Sequence, residues 1–299
     1  MSIYLDYNAS APIDERVLDV MVDVYKNVIG NPDSRTHDFG DKARNVVEAA
    51  RAQVASLLSV DKGEVFFTSG ATESDNIAIR GLIQYGIESG KKHVITTSIE
   101  HKAVLESVKS LKNEGFSVDI VNPEEDGRVS VDKITSLLRD DTLLVSVMHA
   151  NNETGVIQPV HELGEILSEK KVLFHVDATQ SCGKLVPELK SLKYDMLSFS
   201  GHKLRAPQGI GALILRKKRY KFPPVKAVMY GGQQERGIRP GTVPTALIAG
   251  LGKACELAQC EYEENIRNLK INKHRIISMF EKSGLKYVFN GDQECCMPN

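Results

Sequence analysis

The sequence predicts an α/β fold in which a mostly parallel, seven-stranded sheet carries helices on both faces. From about residue 60 onward, short runs rich in β-branched and aromatic residues alternate with longer amphipathic stretches. That alternation is typical of chains in which a helix connects each strand to a parallel neighbour. With 299 residues, 41% of them hydrophobic, the chain is long and apolar enough to bury the core of such a sheet.

Seven runs are expected to form the strands, and the stretches between them to form helices. The strands are predicted at 65–67, 93–97, 118–121, 143–149, 172–176, 196–198 and 212–215. Apolar residues recur at three- and four-residue steps in helices predicted near 72–89, 102–114, 131–139 and 160–170. Further helices are predicted near 244–259 and 261–283, followed by a short strand at 287–289.

The change to a helical pattern after Thr242 divides the chain into three predicted parts. Residues 1–15 form an N-terminal arm, residues 16–259 a large domain, and residues 260–299 the beginning of a small C-terminal domain. The last part is expected to be incomplete, because about 40 residues are few for an independent core.

Composition argues against several classes of partner. Lys and Arg (38) nearly balance Asp and Glu (39), so no overall field would attract nucleic acid or an anionic membrane. Neither a long apolar run nor the residue order of a signal peptide is present, so a cytoplasmic location is expected. The histidines lack a metal-ligand spacing, and the five cysteines suit neither a zinc site nor a disulfide framework.

Polar side chains follow five of the predicted strands, in the segments 68–73, 100–101, 151–153, 177–180 and 200–203. The carboxyl ends of parallel strands meet at one edge of a sheet, and ligands bind beyond that edge. These five segments are therefore expected to converge on one crevice.

The segment 69–72, Ser-Gly-Ala-Thr, ends a strand and opens a helix. Its small residues let backbone amides approach a ligand, and the helix dipole favours an anion there, so a phosphate would fit. An ordinary helix N-cap formed by Ser69 or Thr72 accounts for the same residues and is the commoner case.

Three further residues have both a functional and a structural interpretation. Asp177 ends an apolar strand, so it needs a cationic or hydrogen-bonded partner, or else caps a helix. Lys203 follows another strand, where burial and a nearby cation would lower its pKa toward a usable amine, although a lone lysine is usually a solvated surface charge. His101 could stack on a flat ring and move protons near neutral pH, although a structural role is commoner for a single histidine.

Four segments resemble those of a known family. They are SGATESDN at 69–76, HANNETG at 149–155, HVDATQS at 175–181 and SFSGHK at 198–203, with similar stretches at 4–12, 30–34 and 231–242. In this order, over nearly the whole chain, they resemble the signature segments of the cysteine desulfurases of the class V aminotransferase family.

The resemblance implies a transferase of fold type I that depends on pyridoxal 5'-phosphate (PLP), with residues 16–259 as the PLP-binding large domain. Such an enzyme is a cytoplasmic homodimer that takes sulfur from L-cysteine and leaves L-alanine. The sulfur passes as a persulfide to an acceptor protein. Iron-sulfur cluster assembly, tRNA thiolation and DNA phosphorothioation all stay open as destinations, and so does a preference for selenocysteine.

The resemblance also assigns roles around the ring of the cofactor. Lys203 would hold PLP as a Schiff base and then act as the catalytic base. Asp177 would face the pyridine nitrogen and Gln180 the ring oxygen. His101 would stack on the ring and shuttle a proton, and Asn152 would lie near the ring oxygen and the substrate carboxylate.

At the other end of the cofactor, Ala71, Thr72, Ser200 and His202 would hold the phosphate. Thr242 would reach the phosphate bound by the neighbouring subunit.

Two features depart from the family pattern. The persulfide cysteine and the arginine for the substrate carboxylate are expected beyond residue 299, and Cys182, Cys295 and Cys296 do not stand at the position of that cysteine. The segment 204–208, Leu-Arg-Ala-Pro-Gln, replaces the aromatic residue and glycine that usually follow the lysine. The alternative function is therefore a PLP-binding dimer that acts as a scaffold or regulator, or that retains only slow transamination.

Overall fold

The computed structural model describes residues 3–298, and this part of the chain forms one seven-stranded sheet. The strands are β1 (Val65–Thr68), β2 (His93–Thr97), β3 (Ser117–Val121), β4 (Thr142–Ser146), β5 (Leu173–Asp177), β6 (Met196–Ser200) and β7 (Gly211–Leu215). All seven strands predicted within residues 65–215 are confirmed. The largest difference is at β4, which ends at Ser146 where the sequence predicted 149.

The sheet is mostly parallel, as predicted, and its strand order is β1-β7-β6-β5-β4-β2-β3. The pairs β2–β3, β2–β4, β4–β5 and β5–β6 are parallel, whereas β7 runs antiparallel to both β1 and β6. The carboxyl ends of the other six strands therefore lie at one edge of the sheet, where β7 begins.

Ten α-helices are present among residues 3–298. They are α1 (Glu15–Asn27), α2 (Asp38–Leu58), α3 (Ala71–Arg80), α4 (Ile83–Ser89), α5 (Lys102–Ser110), α6 (Val131–Ser136), α7 (Val160–Ser168), α8 (Val186–Ser191), α9 (Thr245–Cys260) and α10 (Tyr262–Lys282). The sequence did not predict α1, α2 or α8.

The helix predicted near 72–89 is interrupted between α3 and α4. The carbonyl oxygen of Gly81 accepts the amide of Lys226 at 2.9 Å, so it is diverted from the helical ladder. A β-carbon at Gly81 would lie 2.6 Å from Cγ1 of Val225, so only glycine allows this close approach. Docking of the 225–226 segment therefore accounts for the break.

Helices cover both faces of the sheet, as predicted. Phe67 of β1 belongs to the core formed with α2 and α9, whereas its neighbour Phe66 packs in the core that includes α3 and α5. Leu197 and Met196 of β6 divide between the two cores in the same way. Successive side chains of a strand point to opposite faces, so each strand contributes to both cores.

The strand predicted at 287–289 is wrong. Val288 is 88% exposed. The rings of Tyr287 and Phe289 contact each other, with their centroids 5.2 Å apart. No neighbouring strand pairs with this segment among residues 3–298. The chain meets the sheet domain later, where the amide of Met297 donates to the carbonyl oxygen of Gly155 at 2.8 Å.

The three predicted parts of the chain stay a prediction. α9 packs against α1 and α2, whereas α10 has no buried residue, and the junction of these two helices lies at the expected boundary near 259. Within the described residues, no helix combines the length and the apolar character needed to cross a bilayer.

Candidate active site

An open cavity of about 670 Å³ lies at the edge of the sheet where the strands β1, β2, β4, β5 and β6 end. Residues from all five strand-end segments line it, so the predicted convergence is confirmed. Nine of the ten predicted site residues are among them: Ala71, Thr72, His101, Asn152, Asp177, Gln180, Ser200, His202 and Lys203. Thr242, the tenth, is not; it is exposed on the 231–242 loop.

The turn between β1 and α3 forms one wall of the cavity. Gly70 is the N-cap residue with φ +150°, and no side chain caps the helix, so the alternative of a Ser69 or Thr72 cap is wrong. The first amides of a helix have no partner within it, and here they open toward the cavity. This turn has the form of an anion site.

The facing wall comes from the end of β6. Ser200 is buried within reach of the turn, because a β-carbon placed on Gly70 would lie 3.5 Å from its Oγ. His202 is half-buried, and its Nδ1 lies 3.4 Å from Oγ of Ser10. Burial and the nearby charge of Lys203 lower the pKa of His202, which favours a neutral ring that can both donate and accept.

Asp177, at the end of β5, is 4% exposed and lines the cavity. Its Oδ1 accepts the amide of Thr179 at 2.9 Å, which closes a turn; α8 begins only at Val186, so the helix-cap alternative is wrong. Burial raises the pKa of Asp177, against the hydrogen bond from Thr179 and the charges of His101 and Lys203. A cation bound in the cavity would favour the carboxylate form.

A second carboxyl group, Asp75 of α3, lies buried behind Asp177. Burial, and then the charge of Asp177, raise the pKa of Asp75 well above its usual range. Nε2 of His175 is 3.6 Å from its Oδ1, and burial lowers the pKa of this histidine to about 3, so the ring is neutral. A single negative charge on Asp177 is therefore the favoured state of this pair.

His101 has the structural role that the sequence left open, and its position in the cavity is compatible with the functional one. Its Nδ1 accepts the amide of Ala103 at 3.2 Å and caps α5, while its ring lines the cavity. Because Nδ1 is an acceptor, the neutral ring carries its proton on Nε2. Glu100, beside it, accepts the amide of Met148 at 2.8 Å and the hydroxyl of Thr97 at 2.7 Å, which ties the exits of β2 and β4 together.

Lys203 is half-buried and faces the cavity, so the alternative of a solvated surface lysine is wrong. Its Nζ donates to the carbonyl oxygens of Asn8 and, at 2.9 Å, of Ala9. Burial lowers the pKa of this amine, although the charges of Asp6 and Asp177 oppose the effect. A free amine is the nucleophilic form of lysine.

The N-terminal arm is the main part of the site that sequence reasoning missed. The carbonyl oxygen of Asn8 accepts Nε2 of Gln180 at 3.2 Å, and its Oδ1 accepts Nζ of Lys184 at 3.0 Å. Burial, and then the charge of Lys203, lower the pKa of Lys184 to about 8. The only signal in the sequence was the resemblance at 4–12, which gave no position relative to the sheet.

No cysteine lines the cavity in residues 3–298. Cys182 and Cys255 are buried, and burial raises the pKa of both thiols, whereas Cys260 is exposed. Cys295 and Cys296 lie in the C-terminal segment that pairs with Val156 and Ile157. No group of three or more His, Cys, Asp or Glu side chains could hold a metal ion within the described part of the chain.

Sequence and structure comparisons find similar proteins over nearly the whole chain. Residues 3–294 match the family described as aminotransferase class-V. A cysteine desulfurase of Pongo abelii is 46% identical over 293 residues, which are 98% of this chain and 63% of that protein. The cysteine desulfurase IscS of Vibrio vulnificus is 44% identical, over 100% of this chain and 74% of that protein.

The crystal structure of DndA from Streptomyces lividans is similar to this structure, with a TM-score of 0.89 and 43% identity. The match covers 99% of this chain and 82% of that chain. The chain spans about 63% of the length of the Pongo abelii relative.

Proposed function

Because the chain belongs to the class V aminotransferase family, we propose that it is a PLP-dependent cysteine desulfurase that converts L-cysteine to L-alanine. The observation that carries this proposal is the placement of Asp177, Lys203 and the β1–α3 turn around one cavity. The names of the relatives, cysteine desulfurase and IscS, support the reaction.

The cavity fits the three chemical features of PLP, which are a phosphate, a pyridine nitrogen and an aldehyde. Ala71, Thr72, Ser200 and His202 would hold the phosphate, through helix amides, a hydroxyl and an imidazole. Asp177 would face the pyridine nitrogen. This buried carboxyl group has no cationic partner at salt-bridge distance in the described chain, which a protonated ring nitrogen would supply.

When bound, PLP supplies an electron-accepting ring and an aldehyde that bonds covalently to amines. The chain supplies the proton transfers. The neutral amine of Lys203 would take the proton from Cα of L-cysteine, and Asp177 would hold a proton at the pyridine nitrogen. His101 would stack on the ring and move a proton through Nε2, while Gln180 and Asn152 would bind the ring oxygen and the substrate carboxylate.

A thiol must then accept the substrate sulfur as a persulfide. Because no described cysteine lines the cavity, we infer that this thiol is none of the five cysteines at positions 182, 255, 260, 295 and 296. The same observation favours the second candidate, a PLP-binding scaffold or regulator without turnover.

We also propose that the protein is a cytoplasmic homodimer that passes sulfur to an acceptor protein, for which iron-sulfur cluster assembly is the first candidate. Thr242 would contact the phosphate in the second subunit, and its exposure outside the cavity of its own chain supports this role. Tyr220 and Tyr230, 97% and 93% exposed, support a covered surface nearby.

The purified full chain, incubated with L-cysteine and a reductant, tests the proposal through sulfide, alanine and cofactor absorbance. Equal release of sulfide and alanine is expected with an added thiol. A spectral change without sulfide would favour the scaffold, and a colourless protein that ignores added PLP would contradict both.

A further inference from the structure

A carboxylate stands beside the proposed phosphate site. Glu73 belongs to the first turn of α3 and lines the cavity, next to the amides of Ala71 and Thr72. An unscreened carboxylate at this place would repel a phosphate dianion, since like charges raise each other's energy most strongly where water is partly excluded.

The side chain of Arg239 neutralises Glu73. Nε of Arg239 donates to Oε1 at 2.9 Å and Nη2 donates to Oε2 at 3.4 Å, and the two side chains are only 19% and 17% exposed. Burial opposes ionisation of Glu73, but the hydrogen bonds from Arg239 and Ser69 outweigh it and hold the pKa of the carboxyl group below its usual value. Glu73 is therefore a paired anion.

The pair also fixes the backbone of the turn. Oε2 of Glu73 accepts the amide of Ser69 at 2.5 Å, so the carboxylate bridges Arg239 and the first residue after β1. A carboxylate without Arg239 could rotate toward the amides of Ala71 and Thr72 and compete there with a bound anion.

Arg239 is itself held in place by the 231–242 loop. Glu235 of this loop is buried, accepts Nη2 of Arg51 at 2.7 Å, and accepts the amide of Phe67 in β1 at 2.8 Å. Glu235 and Arg236 have φ values of +45° and +58°, a conformation that persists only where surrounding contacts impose it. The loop is thus fixed to the strand that leads into the turn.

We propose that Arg239 is a positioning residue for the phosphate of the cofactor, which cancels the charge of Glu73 and keeps that side chain on the amide of Ser69. The inference rests on the proposed function, because PLP provides the phosphate. Its effect is confined to the charged end of the cofactor and does not extend to the ring.

Comparing PLP with pyridoxal, which has the same ring and aldehyde but no phosphate, tests this role. The full chain, freed of cofactor with hydroxylamine, is titrated with each ligand. Arg239→Met should weaken PLP binding about tenfold and pyridoxal binding less than about twofold. The double variant Glu73→Gln, Arg239→Met should recover most of the PLP affinity, because the repelling charge is gone.

Glu73→Gln alone covers the case in which Arg239→Met does not fold. It leaves the Arg239 cation unpaired, so PLP should bind about threefold more tightly while pyridoxal is unaffected. Equal changes for PLP and pyridoxal, or none in either variant, would overturn the inference. A wild-type chain that binds neither ligand would instead overturn the proposed function.

Discussion

Asp177 and Lys203 lie on the walls of one cavity, close enough that the charge of each shifts the pKa of the other. Burial raises the pKa of the Asp177 carboxyl group and lowers the pKa of the Lys203 amine, and the attraction between the two charges opposes both shifts. A protonated pyridine nitrogen beside Asp177 would favour its carboxylate form, and the lowered pKa of Lys203 favours the neutral amine that can attack an aldehyde.

Asp177→Asn is expected to weaken PLP binding about tenfold or more, because an amide cannot stabilise a protonated pyridine nitrogen. The dissociation constant, from the absorbance of the bound cofactor, measures this. Asp75→Asn is the matched control: its carboxyl group is already neutral, so PLP affinity should change less than about threefold. Equal effects of the two substitutions would contradict the assignment of Asp177.

His101→Asn separates the two roles of this residue. Asparagine is a good N-cap and can accept the amide of Ala103, so α5 should keep its stability. Loss of the ring should lower sulfide release about a hundredfold, as for other general acid-base groups. The melting temperature and the rate are measured together, and a variant that keeps the wild-type rate would leave His101 with a structural role only.

The stability of the protein should depend on the ionisation of Glu100. Burial raises the pKa of this residue to about 8 from the ordinary 4.5, so the unfolded chain binds fewer protons than the native state between these values. Stability should therefore fall as the pH rises from 4.5 to 8, by an amount on the order of a few kcal/mol, and then level off.

Glu100→Gln removes this pH dependence of the stability. The free energy of unfolding of the variant, minus that of the wild type, should therefore increase by about 2 kcal/mol or more between pH 5 and pH 8. Urea denaturation at both pH values gives the comparison. A difference between variant and wild type that is the same at both pH values would mean that Glu100 does not titrate in this range.

Glu235→Gln should destabilise the protein by about 3 kcal/mol, because Arg51 loses its buried counter-charge and keeps only the more exposed Glu48 as an ion-pair partner. Glu165→Gln is the control, since it breaks an ion pair with Lys193 in which both side chains are more than half exposed. That change should cost less than about 1 kcal/mol. Similar losses in the two variants would show that the Glu235 pair is not a special anchor of the loop.

The sequence was sufficient to predict the strands and the meeting of their polar ends. A run such as 172–176 is apolar whatever its neighbours are, and parallel strands must bring Asp177 and Lys203 to one edge. Tertiary contacts decided the rest. The carbonyl oxygens of Asn8 and Ala9 reach Lys203 across nearly two hundred residues, a contact that no local pattern encodes.

The incorrect predictions also arise because contacts between distant parts of the chain decide the structure. The 287–289 segment has the composition of a strand but no neighbour to pair with, and the helix after Ala71 breaks because Lys226 takes the carbonyl group of Gly81. Glu73 and Arg239 are distant in sequence, so their ion pair was invisible until the 231–242 loop was in place.

Covalent capture of the cofactor tests the central claim most directly. The full chain is loaded with PLP, reduced with borohydride, digested and examined by mass spectrometry. The reduced adduct is expected on the peptide that contains Lys203, to be absent in Lys203→Ala, and to persist in Lys184→Ala, which removes the other amine bound to Asn8. An adduct that persists in Lys203→Ala, or a wild-type adduct on another lysine, would contradict the account.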